Sequence, residues 1–263
     1  MRKLIFILLI FIGVQSRAQQ MQFTLTDSIP GKYTSFAVDN FGRIALVKND
    51  VILSFSNQLD TLFSTSLKSF RPTYIESSKS FRTLVFDQER SVIHFLDNTM
   101  TDIHGEIDLV NQDIQQAWLV CESFGGNAFW VFDAGSMRLI KLNENLDKLI
   151  ITENLASVFS SEILPSYMME AHDLLFILIP NTGIAVFDVF GTYVKTFPFS
   201  TAHFDVFNEH LLLRENNTIR ATPIKFDSRP DQYFEFADSI LQFKFKQDKV
   251  YFLTPEGLMI GGY

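Results

Sequence analysis

"TGIAVFDVFGTYVKTF", residues 182–197, holds two short apolar runs, Ile184–Asp188 and Tyr193–Phe197, parted by a break at Gly191. Val, Ile, Phe and Tyr between polar turn residues suit pleated, partly buried strands. The same outline returns along the chain with different letters. Ile52 opens "ILSFSNQLDTLF", Ile93 opens "IHFLDNTMTDI" and Leu139 opens "LIKLNENLDKLI". Ile219 opens "IRATPIKF" and Leu258 opens "LMIGGY". The six anchors, Ile184 among them, recur about every 41 residues.

A second apolar run precedes each anchor: Ile44–Val47, Thr83–Phe86, Ala128–Phe132, Leu174–Ile179, Leu211–Leu213 and Val250–Leu253. A turn signal usually comes before it, such as Asp39-Asn40-Phe41-Gly42 or Gly125-Gly126-Asn127, and before that a third run, such as "YTSFAV" or "LQFKF". Each unit therefore reads as four antiparallel strands. Four strands repeating every 40 residues or so indicate a β-propeller, because a lone blade cannot bury both its faces and stacked blades can. The 28 Phe supply large side chains to pack between neighbouring sheets. The length gives six blades. The last unit has room for only three strands, and "MQFTLTDSI", 21–29, stands alone before the first. Pairing the two closes the ring and removes two exposed sheet edges.

The units "FAVDNFGRIALVKNDVILSFSNQLDTLF" and "NAFWVFDAGSMRLIKLNENLDKLI" resemble the six-bladed propellers of the NHL and YWTD type, with Asp133 to Arg138-Leu139 the closest match. "SSKSFRTLVFDQERSVI" lacks the Gly turn of those repeats, and "HLLLRENNTIRATPI" lacks their Phe-Asp. The resemblance implies a platform for binding, a scaffold or, in some members, a hydrolase.

The chain opens "MRKLIFILLIFIGVQSRAQQ": two basic residues, an apolar stretch from Leu4 to Val14, and small residues at Ser16 and Ala18. That is the pattern of a secretory signal, cut after Ala18, leaving 19–263 as one propeller domain. Eleven helical residues cover about 17 Å, too short for a roughly 30 Å hydrocarbon core. No other stretch is long and apolar enough to span a bilayer. Removing Arg2, Lys3 and Arg17 leaves 19 basic against 30 acidic residues, a net charge of −11. So acidic a chain repels polyanions, which excludes nucleic acid as the expected partner.

Cys121 is the one cysteine, so no internal disulfide can form. Its strand-like setting reads as a buried small hydrophobe. His94, His104, His172, His203 and His210 are isolated, and no metal-ligand spacing appears. No phosphate loop, dinucleotide motif or nucleophile elbow appears either. The expectation is no metal and no cofactor. A site assembled from several blades would leave no linear motif.

The polar residues on turns between second and third strands mark a face where a ligand or partner could sit. The candidates are Asp87, Glu89, Arg90, Asp133, Arg138, Arg214 and Glu215. "TENLASVFSSEILP", 152–165, breaks the strand rhythm and reads as a connector with a short helix, either packed on the ring or free to act as a binding flap. The functional expectation is an exported, non-enzymatic interaction module in the periplasm or on the surface of a bacterium. It would act as a monomer or within a hetero-complex with an envelope protein. The competing expectations are a lactonase-like or glycan-active hydrolase, and a small-ligand or peptide sensor, each using the mouth of the central tunnel.

Overall fold

Every anchor is the second residue of a strand and is buried: Ile52, Ile93, Leu139, Ile184, Ile219 and Leu258 are each at most 1% exposed. In the computed structural model, which describes residues 23–77, 81–124, 127–216, 218–225, 231–235 and 239–262, these strands are the third strands of six four-stranded antiparallel sheets. The sheets form a six-bladed propeller with almost no helix. The export segment lies outside the described residues, as do Gly125 and Gly126.

The inner strands, from blade 1 to blade 6, are Ser35–Val38, Tyr74–Glu76, Ala117–Glu122, Tyr167–Ala171, Phe204–Phe207 and Gln242–Lys246. The second strands are Ile44–Lys48, Arg82–Asp87, Ala128–Asp133, Leu174–Ile179, His210–Glu215 and Lys249–Thr254. Blade 6 takes its outer strand from Thr24–Pro30, which pairs antiparallel with Gly257–Gly262 from Thr24 opposite Gly262 to Pro30 opposite Gly257. The ring is closed as the sequence implied.

One five-residue turn recurs after the third strand in blades 1 to 4. In Asp188–Thr192 the Asp188 N–H donates to the Thr192 carbonyl and the Gly191 N–H to the Asp188 carbonyl. The Asp188 carboxylate accepts the N–H groups of Phe190 and Thr192. Asp97–Thr101, Asn143–Asp147 and Ser56–Asp60 make the same pair of backbone bonds. Asp39–Arg43 makes it again, in a turn between first and second strands. A short polar side chain at the first position satisfies donors the sheet cannot reach.

The core lies between blades. Trp130, Phe132, Leu175, Ile177 and Phe187 pack blade 3 on blade 4, and Phe95 meets Phe129 between blades 2 and 3 with centroids 5.7 Å apart. Cys121 is fully buried in this layer, and burial pushes its thiol well above the usual range. The connector 152–165 contains one helical turn, Ala156–Phe159, whose Phe159 ring meets Tyr193 at 5.8 Å. Leu155 and Ile163 are buried beside it, so the connector packs on the side of blades 3 and 4.

Candidate functional site

Inner strands leave one backbone edge facing the axis with no strand beside it, so its polar groups need other partners. Side chains of neighbouring blades supply several. Glu76 accepts the Glu122 N–H at 2.8 Å, Glu170 the Phe124 N–H at 2.8 Å, and Asp205 the Phe245 N–H at 2.8 Å. The Gln242 side-chain oxygen accepts the Phe36 N–H at 3.3 Å, joining blade 6 to blade 1. Carboxylates within apolar inner strands thus join neighbouring blades.

Where the inner strands begin, the rings of Tyr74 and Tyr167 meet edge to face, 6.3 Å apart. They belong to blades 2 and 4, so the contact crosses the axis and narrows the channel. Towards the other ends of the inner strands the channel widens into a funnel of about 490 Å³. Its walls are Phe36, Val38, Ile75, Met169, Val206 and Phe243, with Glu76, Lys244 and Lys246 among them. Its mouth carries Asn40, Phe124, His172, Asp173 and Gln247, all on or next to turns between first and second strands. Phe124 is 73% exposed there. On the same face the exposed rings of Phe41 and Phe81 lie 5.3 Å apart, with the Arg43 guanidinium 5.7 and 5.8 Å from their centres. Phe190, 75% exposed, extends this apolar face on blade 4.

The charged groups in the funnel differ in their partners. The Lys244 ammonium lies 2.6 Å from the buried Asp205 carboxylate. Glu170 accepts the Trp130 indole N–H at 2.5 Å and has the Lys141 ammonium 3.6 Å away. Glu76 accepts the Tyr74 hydroxyl at 3.2 Å besides the Glu122 N–H. Burial first, and the nearby Glu122 charge second, push the Glu76 carboxyl up to about 7. Burial also lowers the Lys246 ammonium, whose nearest acceptor is the Val38 carbonyl at 3.5 Å. Among the described residues no three His, Cys, Asp or Glu side chains gather to hold a metal ion.

The seven residues singled out from the sequence lie at the other end of the ring, and none lines the funnel. Asp87, Glu89 and Arg90 come together with residues 66–71 in a cleft of about 510 Å³ between blades 1 and 2. Arg214 and Glu215 line another, of about 690 Å³, between blades 5 and 6. Asp133 and Arg138 line neither. Asp87 and Asp133 are buried fasteners. Asp87 accepts the N–H groups of Arg71 and Arg90, and Asp133 those of Gln115, Gln116 and Gly135 together with the Ser136 hydroxyl. They tie each inter-blade connection to the turn beside it. Arg90 pairs with Glu106 at 2.7 Å, Glu89 with Arg71 at 3.8 Å, and Glu215 with Arg220 at 3.1 Å. Arg214 donates to the carbonyls of Ile240 and Leu241, and Arg138 is exposed. The funnel residues sit within apolar runs, which in sequence look like core. The readable signal was a carboxylate in each inner strand from blade 2 to blade 5, and alternating lysines in "LQFKFK".

No protein-family model and no curated protein matches the chain. Many solved structures resemble it in shape. Neurospora crassa Pan2 WD40 domain is similar with TM-score 0.61 at 10% identity, over 91% of this chain and 95% of that one. Virginiamycin B lyase from Staphylococcus aureus is similar with TM-score 0.58 at 13% identity, over 86% of this chain and 78% of that one. BamB from Moraxella catarrhalis is similar with TM-score 0.54 at 7% identity, over 92% of this chain and all of that one. PorZ, a surface component of the type-IX secretion system of Porphyromonas gingivalis, gives TM-score 0.50 at 13% identity, over 88% of this chain and 37% of that one. At such identities the likeness shows a shared propeller fold, and the functional reading has to come from the funnel itself.

Proposed function

We propose that the chain is an exported, non-enzymatic binding propeller of the bacterial envelope that receives a partner at the mouth of its funnel. The observation that carries this reading is the funnel itself, narrowed at one end by Tyr74 and Tyr167 and open on a face set with exposed phenylalanines. Exposed aromatic groups around a concave apolar wall are a usual anchor for protein recognition. The N-terminal export pattern supports placement outside the cytoplasm, and the fold likeness to a bacterial surface component is consistent with it.

A photo-crosslinking amino acid placed at Phe124 tests the reading, with one at Arg138 on the opposite face as comparator. The expected result is a discrete adduct with an envelope protein from position 124, abolished when Phe41 and Phe81 are both changed to Asp. Adducts from position 138 alone, or turnover of a lactone or glycan panel by the purified protein, would overturn it.

The funnel volume also favours a second reading, as a receptor for a small ligand or one inserted side chain. A cavity of about 490 Å³ falls within the roughly 300–1,000 Å³ of ordinary ligand sites.

A further inference from the structure

Four carboxylates stand in the inner strands of blades 2 to 5, and three have a cation at hand. Glu122 has Arg82 at 2.7 Å, Glu170 has Lys141 at 3.6 Å and Asp205 has Lys244 at 2.6 Å. Glu76 is the exception. Among the described residues no Lys or Arg nitrogen lies within 4.0 Å of it. It is also half-buried and lines the funnel, and both its hydrogen bonds among the described residues go to one oxygen, Oε2. Beside it are the rings of Tyr74 and Tyr167, whose faces favour a cation.

We propose that the funnel is a receptor for a primary ammonium group on an apolar stem, with Glu76 as its counter-ion and Tyr74 and Tyr167 as its walls. The apolar stem lies against Phe36, Met169 and Val206, which continue from that level towards the mouth. A half-buried carboxylate that no described Lys or Arg touches is costly, and an ammonium arriving at Glu76 offsets that cost beyond what the more distant Lys244 supplies. Burial first and the Glu122 charge second raise the Glu76 carboxyl, and the Lys244 charge offsets them only in part. Because the ligand's charge favours the ionised carboxylate, binding near neutrality releases a proton from Glu76. The groups facing it are Tyr74 on its own strand, Cys121 and Glu122 of blade 3, Tyr167 of blade 4, and Lys244 and Lys246 of blade 6. The inference rests on the reading that the funnel is the binding site.

The test is calorimetry on the mature protein with three ligands of one shape: benzylamine, benzyl alcohol and benzoate. Benzylamine is expected to bind at least tenfold tighter than the other two. Glu76→Gln should lose that margin, and Arg138→Gln, exposed on the opposite face, should keep it. In wild-type protein the benzylamine affinity should rise roughly tenfold or more from pH 5.5 to pH 8, as a carboxyl titrating near 7 ionises. Proton release should appear as a dependence of the heat on the buffer's ionisation enthalpy. This pH arm needs no variant, so it stands even if Glu76→Gln fails to fold. Equal binding of benzylamine and benzyl alcohol, tighter binding of benzoate, no binding of any of the three, or pH-independent affinity overturns the inference. An acetyl-Leu-Lys-Leu-amide arm separates the sources of the ammonium. Tighter binding than benzylamine assigns it to a partner's lysine, and weaker binding to a small amine. A position-124 adduct together with amine indifference would sink this inference while leaving the docking reading intact.

Discussion

At the scale of single residues, the five-residue turn shows what one Cβ atom costs. Gly191 holds its left-handed position at φ +81°, where Leu59, Met100 and Leu146 hold theirs at +69°, +62° and +67°. Only glycine adopts that region without penalty. At Gly191 a Cβ would also approach the Thr152 methyl at 2.6 Å. Gly191→Ala is therefore expected to cost about 1–2 kcal/mol from the backbone alone, measured as a lower urea midpoint at unchanged slope. An unchanged midpoint would show that the blade gives way freely there.

His203 makes a second residue-scale case. It is buried between Tyr167 and Phe243, at 4.8 and 5.0 Å, and neither ring nitrogen has a hydrogen-bond partner among the described residues. Burial first, then the Lys244 and Arg214 charges, lower its imidazole to about 3. The unfolded chain protonates near 6.5, so the unfolded state binds the extra proton first as pH falls. The stability His203 contributes is full above about pH 6.5 and is lost on descent towards pH 3, a loss of roughly 3–5 kcal/mol. His203→Phe should flatten the pH dependence of Tm between pH 7 and pH 4 relative to wild type. Parallel curves for the two proteins would refute the buried neutral imidazole.

At the scale of elements, the closing strand depends on a glycine that its own strand pattern would not suggest. Gly261 lies where Thr24–Pro30 pairs onto blade 6, and a Cβ there would stand 2.1 Å from the Phe23 ring and 2.4 Å from the Thr24 carbonyl oxygen. Gly261→Val forces the N-terminal strand away. The overpacking costs about 1–3 kcal/mol, and the outer edge of blade 6 opens to proteases. Limited proteolysis with N-terminal sequencing checks this. Continued protection of residues 24–30 would mean the strand docks without that close approach. The inner strands carry a second lesson. Their carboxylates look like surface charges in sequence, yet they accept backbone N–H groups across blade boundaries. A strand read alone cannot show this, because the accepting side chain and the donating backbone lie about 40 residues apart.

At the scale of the whole molecule, the six sheets follow from a hydrophobic period that survives large changes in residue identity. All six anchors fall at one register position, and even blades 2 and 5, which depart most from the NHL and YWTD outline, build four strands. The candidate site was less legible. Turn polarity directed attention to Asp87, Glu89, Arg90, Asp133, Arg138, Arg214 and Glu215, and two of these are buried fasteners of the inter-blade connections. The funnel opens at the other end, among residues that pattern reading assigns to a core.

The chain's own period of apolar runs determined the blade count, the strand order and the closure of the ring, because burying both faces of each sheet requires that repeat and little else. Which end of the channel is open, and which carboxylate there has no described Lys or Arg in direct contact, was decided only when six inner strands met around one axis. Tyr74 and Tyr167 are 93 positions apart in the chain and 6.3 Å apart in space. Burial in the funnel first, then the Glu122 charge of blade 3, raise the Glu76 carboxyl, and Lys244 of blade 6 opposes them. Local pattern fixes which face of a strand is buried. Electrostatics depends on what comes to lie opposite, and that is a property of the assembled ring.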